Sequence, residues 1–176
     1  MTFSFRCAAA LAGALTLGCS PVLDWREVRP PGSSAQLQFP CKPASHSRKV
    51  TLAGAAVEMS LYACTVSDVS YALAFADMAD PALVTLAIDE LARAAHGNLS
   101  AAAAPGASMP LNVRGATPNR QSASWTVSGR LPDGRKVEER LALFAYGTRV
   151  YQATAFGERL DASAWDTFVG SVKVGP

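Results

Sequence analysis

The chain reads as one α+β domain, an antiparallel β-meander in a single sheet covered by two main helices. Three observations predict this. Short stretches of alternating apolar and polar residues follow one another along most of the sequence, with turn-forming residues between them, as sequence-adjacent antiparallel strands require. The apolar spacing becomes helical after residue 80 and again near the C-terminus. The 176 residues suffice for one domain with a real core. Neighbouring strands with helices on one or both faces make a sandwich.

The first expected element is Asp24-Trp25-Arg26-Glu27-Val28, which interrupts a stretch containing Pro21, Pro30, Pro31 and Gly32. A Trp beside alternating charges suits a short edge strand. Residues 36–39 alternate and stop at Pro40. Three further strands are expected at 48–52, 57–62 and 70–75, with Ala53-Gly54-Ala55 as a hairpin tip. Asp80 then offers a carboxylate to the free N–H groups of a helix, and Pro81 suits its first position. Val84, Ile88, Leu91 and Ala95 recur at i, i+4, i+7 and i+11, which gives that helix one apolar stripe. Asp89 and Arg93 are spaced as an exposed i,i+4 pair. His96 before Gly97 predicts the helix end, with a cation at the negative pole and a glycine in the left-handed conformation.

Residues 99–110 are Ala-rich with two prolines and read as a long loop. Strands follow near 112–116 and 123–129, and Leu131-Pro132-Asp133-Gly134 is a strong turn. The return strand 136–144 places Val137, Leu141 and Leu143 on one face and Lys136, Glu138 and Arg140 on the other. Tyr146-Gly147-Thr148 turns into a strand at 149–156. Asp161 caps a last helix in which Trp165, Phe168 and Val169 share a face and Gly170 ends the element. Residues 171–174 add a short closing segment.

The N-terminus carries an address. Arg6, an apolar run over 7–17 and small residues before a cut describe a secretory leader. Leu15-Thr16-Leu17-Gly18-Cys19 resembles the lipobox of bacterial lipoproteins, in which the cysteine receives diacylglycerol and becomes the mature N-terminus. The resemblance implies lipidation of Cys19, palmitate included, although Thr16 stands where such leaders usually have Leu. A plain secretory leader wants an A-x-A-like site, and none is well placed. A retained span needs about 20 apolar residues, more than this run holds. Ser20, not Asp, follows the cysteine, which resembles lipoproteins sorted to the outer membrane, with the inner membrane as the alternative. The expected organisation is a leader at 1–18, a lipidated N-terminus and tether at 19–34, and a single domain at 35–176.

Cysteine use agrees with export. Cys7 leaves with the leader and Cys19 takes the lipid, so Cys41 and Cys64 remain as an even pair. In an oxidising compartment such a pair is expected to bridge, and adjacent antiparallel strands would bring the two together. The bridge would close a loop of about 20 residues and contribute about 3 kcal/mol by chain entropy. Two buried free thiols are the alternative.

Charge is nearly balanced, with 16 Lys and Arg against 14 Asp and Glu, so nothing argues for nucleic acid. Its distribution is uneven. Residues 50–92 hold six acids and no Lys or Arg, whereas residues 112–149 hold seven bases and three acids. The simplest expectation is that these two halves pair within one fold. The alternative is a cationic face for lipid headgroups or an acidic partner. The candidate binding face comprises Lys42, His46, Arg48 and Lys49 of a polar basic loop, with Arg135, Lys136 and Arg140 of the meander.

Catalytic patterns are missing. A nucleophilic hydrolase needs a base beside an activated Ser or Cys, yet only His46 and His96 are present and G-x-S-x-G is not. His96 is explained as a helix-end residue and His46 as a solvated one. Cys41, His46, Cys64 and His96 match no standard zinc spacing. Asp77 and Asp80 lack the rest of a calcium loop. No Walker loop or G-x-G-x-x-G occurs, and Glu138-Glu139 point to opposite faces of a strand. No cofactor is expected.

Phe39-Pro40, a strand over 71–75 running into Asp77, a mid-chain helix, an Arg-containing meander and a terminal helix over 165–172 with Phe168-Val169-Gly170-Ser171-Val172 resemble the PsbP-like and DcrB-like superfamily. Cys41-Lys42-Pro43 with Cys64 resembles a proteobacterial lipoprotein subgroup within it. The resemblance implies the sandwich fold and a binding or assembly role rather than catalysis. The expected function is that of a periplasm-facing lipoprotein binding an envelope protein or component. A small-ligand or lipid carrier with a pocket between sheet and helix is the second reading, and an enzyme of unrecognised type the third.

Overall fold

The computed structural model describes residues 22–99 and 108–176; the leader, Cys19 and residues 100–107 lie outside them. The chain order is β1 (Arg26–Val28), β2 (Ala35–Phe39), β3 (Ala44–Leu52), β4 (Ala55–Val66) and β5 (Val69–Asp77). A 3-10 turn (Pro81–Leu83) then leads into α1 (Val84–Asn98). After it come β6 (Met109–Pro110), β7 (Ala123–Arg130), β8 (Lys136–Tyr146), β9 (Arg149–Gly157), α2 (Ala162–Gly170) and β10 (Lys173–Val174).

The class is α+β with antiparallel ladders and two helices, but the sheet is not single. Seven strands run in the order β3-β4-β5-β9-β8-β7-β6, and β1-β2-β10 form a second sheet of three. Pro40 and Pro43, which cannot donate to a ladder, flank Cys41 between β2 and β3. The chain therefore leaves β2 without making a hairpin, and β2 folds across the large sheet instead of joining it.

Three layers result. On one face of the seven-stranded sheet lies α1, whose Ala87 and Ile88 meet Leu141, Leu143 and Val150, all fully buried. On the other lie α2 and the small sheet, which contribute Leu37, Phe39 and Phe168 against Leu73, Phe144 and Tyr151. The α1 stripe expected from Val84, Ile88 and Ala95 is buried, with Leu91 half-buried. Asp80 accepts from the Ala82 N–H at 2.9 Å. Asp161 accepts from the N–H groups of Ser163 and Ala164 at 2.7 and 3.1 Å and so starts α2.

Several local expectations are corrected. Residues 42–49 are not a loop: from Ala44 they form β3, paired with β4 over Ala44↔Ala63 to Leu52↔Ala55. Cys64 lies inside β4 rather than after it. Residues 112–116 make only the isolated bridge Arg114↔Lys173, because a turn from Ala116 N–H to Val113 C=O bends the chain there. The loop over 99–110 ends in β6, which pairs with Ala123 and Ser124 of β7. Gly97 does not terminate α1. The helix runs through it to Asn98, and the cap Leu99 has φ −96°. Tertiary contact overrides the glycine here, since Leu99 is buried and its carbonyl accepts from Arg130 N–H at 3.1 Å. Asp89 and Arg93 form no ion pair among the described residues.

The segment before β2 is packed onto the core. Asp24 N–H donates to the Pro40 carbonyl at 2.9 Å, and β1 pairs with β2 over Arg26↔Phe39 to Val28↔Leu37. Ser33 is wholly buried; its hydroxyl donates to the Pro30 carbonyl at 2.7 Å and accepts from Ala35 N–H at 2.9 Å. The Tyr151 hydroxyl, rising from the middle of the large sheet, donates to the Ser33 carbonyl. From Asp24 onward, the stretch expected as tether belongs to the folded body.

Gly115 lets the 113–117 segment close against β10. Its φ is +83°, and a Cβ there would stand 2.0 Å from the Val174 carbonyl oxygen. Gly115→Ala is expected to destabilise the protein by more than about 1 kcal/mol through combined strain and overlap. Urea unfolding measures this; an unchanged midpoint would mean the contact is not formed.

Candidate functional site

The basic candidates divide into two sets. Lys42 and the β3 residues His46, Arg48 and Lys49 are all exposed. β3 is the terminal strand of its sheet, so its outer backbone groups have no strand partner among the described residues. Arg135, Lys136 and Arg140 lie four strand positions away, at the start of β8 and before it. That separation is roughly 19 Å at the usual strand spacing. The seven residues do not form one face.

Electrostatics separates them further. Arg135 is bound by Asp133 at 2.7 Å and Glu158 at 3.7 Å, and Arg140 by Glu138 at 3.0 Å. Among the described residues, Lys42, Arg48, Lys49 and Lys136 join no ion pair. The acidic 50–92 stretch and the basic 112–149 stretch meet in only one described ion pair, Asp77–Arg149 at 3.2 Å. The Asp77 carboxyl is held below its ordinary range, chiefly by the Ala79 N–H, with the Thr148 hydroxyl and Arg149 adding to it. Asp80 serves as a cap and Glu90 accepts from Ala53 N–H at 2.8 Å. Three of the six acids of that stretch are thus engaged in local structure, and Lys42, Arg48 and Lys49 stay without an ion pair among the described residues.

Cys41 and Cys64 stand in disulfide-compatible geometry, with Cα atoms 5.9 Å apart, inside the usual range. They are not on adjacent strands, as the sequence led us to expect. Cys41 follows β2 of the small sheet and Cys64 belongs to β4 of the large one, so the pair joins the two sheets. Cys19 lies outside the described residues.

Sequence reasoning missed one group, Glu139. The same alternation that places Val137, Leu141 and Leu143 inward also places residue 139 inward, and its side chain is buried. Its cross-strand neighbours are Val127 and Phe156. No donor reaches its carboxylate among the described hydrogen bonds, and burial pushes its pKa up to about 7. At the end of α1, His96 Nδ1 lies 2.7 Å from the Ala92 carbonyl, whereas Nε2 is buried with no partner among the described residues. Among the described residues no three metal-ligating side chains converge, and no helix is long and apolar enough to cross a membrane. Neither protein-family models nor curated proteins provide a match to the chain.

Glu139 makes stability depend on pH in a definite direction. Its folded-state value lies above the ordinary 4.5, so the native state binds this proton more tightly than the unfolded chain does. Its contribution is therefore full below pH 4.5, is lost as pH rises through about 7 and stays lost above. Between pH 4.5 and 8 the stability of Glu139→Gln relative to the parent is expected to rise by roughly 3 kcal/mol. Denaturant titrations across that range read this; a pH-independent difference would show that the carboxylate is solvated.

Proposed function

We propose that this protein is a lipid-anchored binding module on the periplasmic side of the bacterial outer membrane, engaging an acidic envelope partner through the β3 edge. The observation that carries the reading is the edge itself. Residues 42–49 include the cations Lys42, Arg48 and Lys49, with His46 among them, and no acid, and beside them runs a row of backbone groups with no strand partner among the described residues. Like charges oppose pairing with a second copy, while an extended acidic segment gains both ladder hydrogen bonds and charge complementarity. The fully buried packing of Ala87, Ile88, Leu141, Leu143 and Val150 between α1 and the sheet favours a surface role over carriage of a ligand there. No residue is assigned a catalytic role.

The anchor rests on the resemblance of the leader and Cys19 to bacterial lipoproteins. Five residues carry the chain from Cys19 to Asp24 and span at most roughly 18 Å. A lipid on Cys19 therefore holds the small sheet close to the bilayer and limits which partners β3 reaches.

In a Gram-negative host given labelled palmitate, the parent is expected to take up label and Cys19→Ser to take up none. A photo-crosslinker at Ser45 is expected to give a discrete adduct in intact cells that Arg48→Glu with Lys49→Glu removes. An adduct indifferent to charge reversal, or none at all, would reject the β3 interface. Equal labelling of parent and Cys19→Ser would reject the anchor.

A further inference from the structure

The outer face of the small sheet is polar where its inner face is core. Gln36 and Gln38 alternate with buried Ala35, Leu37 and Phe39, and half-buried Lys173 sits between buried Val172 and Val174. The 112–114 segment passes beside β10, and Arg114 bridges Lys173 in parallel register. Val174 N–H donates to the Arg114 carbonyl at 2.9 Å, and Gly115 leaves no slack beside it. Two cations are therefore set side by side by backbone that has little freedom to part them, an arrangement that like charges disfavour.

The described protein balances them in part through Glu27, whose carboxylate attracts Lys173 without forming an ion pair with it. Neither Arg114 nor Lys173 joins an ion pair among the described residues. Glu27, the acid on the rim, is bound by Arg29 at 3.1 Å. The Glu27 carboxyl is held below its ordinary range first by the Gln36 amide, then by Arg29 and Lys173. Two clefts of about 400 and 440 Å³ meet here, with Gln36, Arg114 and Lys173 lining both. Glu27 and Asn112 line the first and Arg29 the second.

We infer that Arg114 and Lys173 bind a phosphate group at the ridge between these clefts. An anion between the two cations converts their repulsion into charge-assisted hydrogen bonds. The guanidinium fork takes two phosphate oxygens and the ammonium a third, a match that a two-oxygen carboxylate completes less well. The phosphate comes either from a lipid headgroup or from a soluble ligand. The site belongs to the folded body and needs neither the lipid on Cys19 nor the β3 edge.

The test uses the whole chain carrying Cys19→Ser, so that no anchor contributes to vesicle binding. On titration with inorganic phosphate, the amide resonances of Arg114, Gly115 and Lys173 are expected to shift saturably. Arg114→Gln with Lys173→Gln is expected to weaken binding on the order of tenfold or more, the scale of one lost charge-assisted contact. Lys173→Arg keeps it. Vesicles of phosphatidylglycerol against phosphatidylcholine identify the source. Loss of phosphatidylglycerol binding in the double variant assigns a headgroup, and vesicle behaviour unchanged while phosphate binding is lost assigns a soluble ligand. No saturable shift, or equal shifts at Lys42, Arg48 and Lys49, overturns the site.

Discussion

The three-stranded sheet is held on the seven-stranded one by a layer of aromatic rings, and the remaining structure depends on that contact. Phe168 of α2 meets Phe39 and Tyr71 edge to face at 5.2 and 5.4 Å, and Phe144 stacks on Tyr151 at 4.8 Å. Such pairs add to the free energy of burying their area. The layer fixes where β2 lies, and β2 in turn orders β1 on one side and β10 on the other. The Tyr151 hydroxyl then fastens the Ser33 carbonyl over the same layer. Cys41 and Cys64 link the sheets at the end of β2, and in a disulfide would act mainly by restricting the unfolded chain.

This docking also sorts the surface charges. Near the β7–β8 turn, Arg135 and Arg140 are close to acids of their own neighbourhood and are neutralised there. β3 runs along the far edge of the large sheet, where only exposed Glu58 stands opposite Lys49 in register. The β10–Arg114 contact forms because the small sheet brings the C-terminus back beside residues 112–114. Both sets of cations without an ion pair among the described residues are thus products of topology, one at a sheet edge and one at a strand bridge.

Much of the meander was legible because its signals are local. The alternation of β8, the turn at 131–134 and the caps Asp80 and Asp161 each act within a few residues, and each appears where its chemistry places it. Division into two sheets was only half legible: Pro40 and Pro43 oppose a β2–β3 hairpin, but where β2 packs instead depends on distant Phe168 and Tyr151. The continuation of α1 past Gly97 has the same origin, because buried Leu99 outweighs a local stop signal. The face of Glu139 was legible from the period-two pattern, which sets it opposite Glu138; its burial was not, since that depends on the α1 layer packed over the sheet. The β3 cations were identified from composition, though as a loop; their pairing with β4 depends on register, which no stretch of eight residues reveals.

The claim on which the account turns is that the chain from Asp24 onward is part of the domain and not a free tether. Hydrogen exchange of the full-length protein, read by mass spectrometry, tests it directly. The account predicts that amides of β1 and β2 exchange as slowly as those of β5 and β9. Exchange of residues 24–39 at the rate of an unfolded chain would contradict it and dissolve the small sheet.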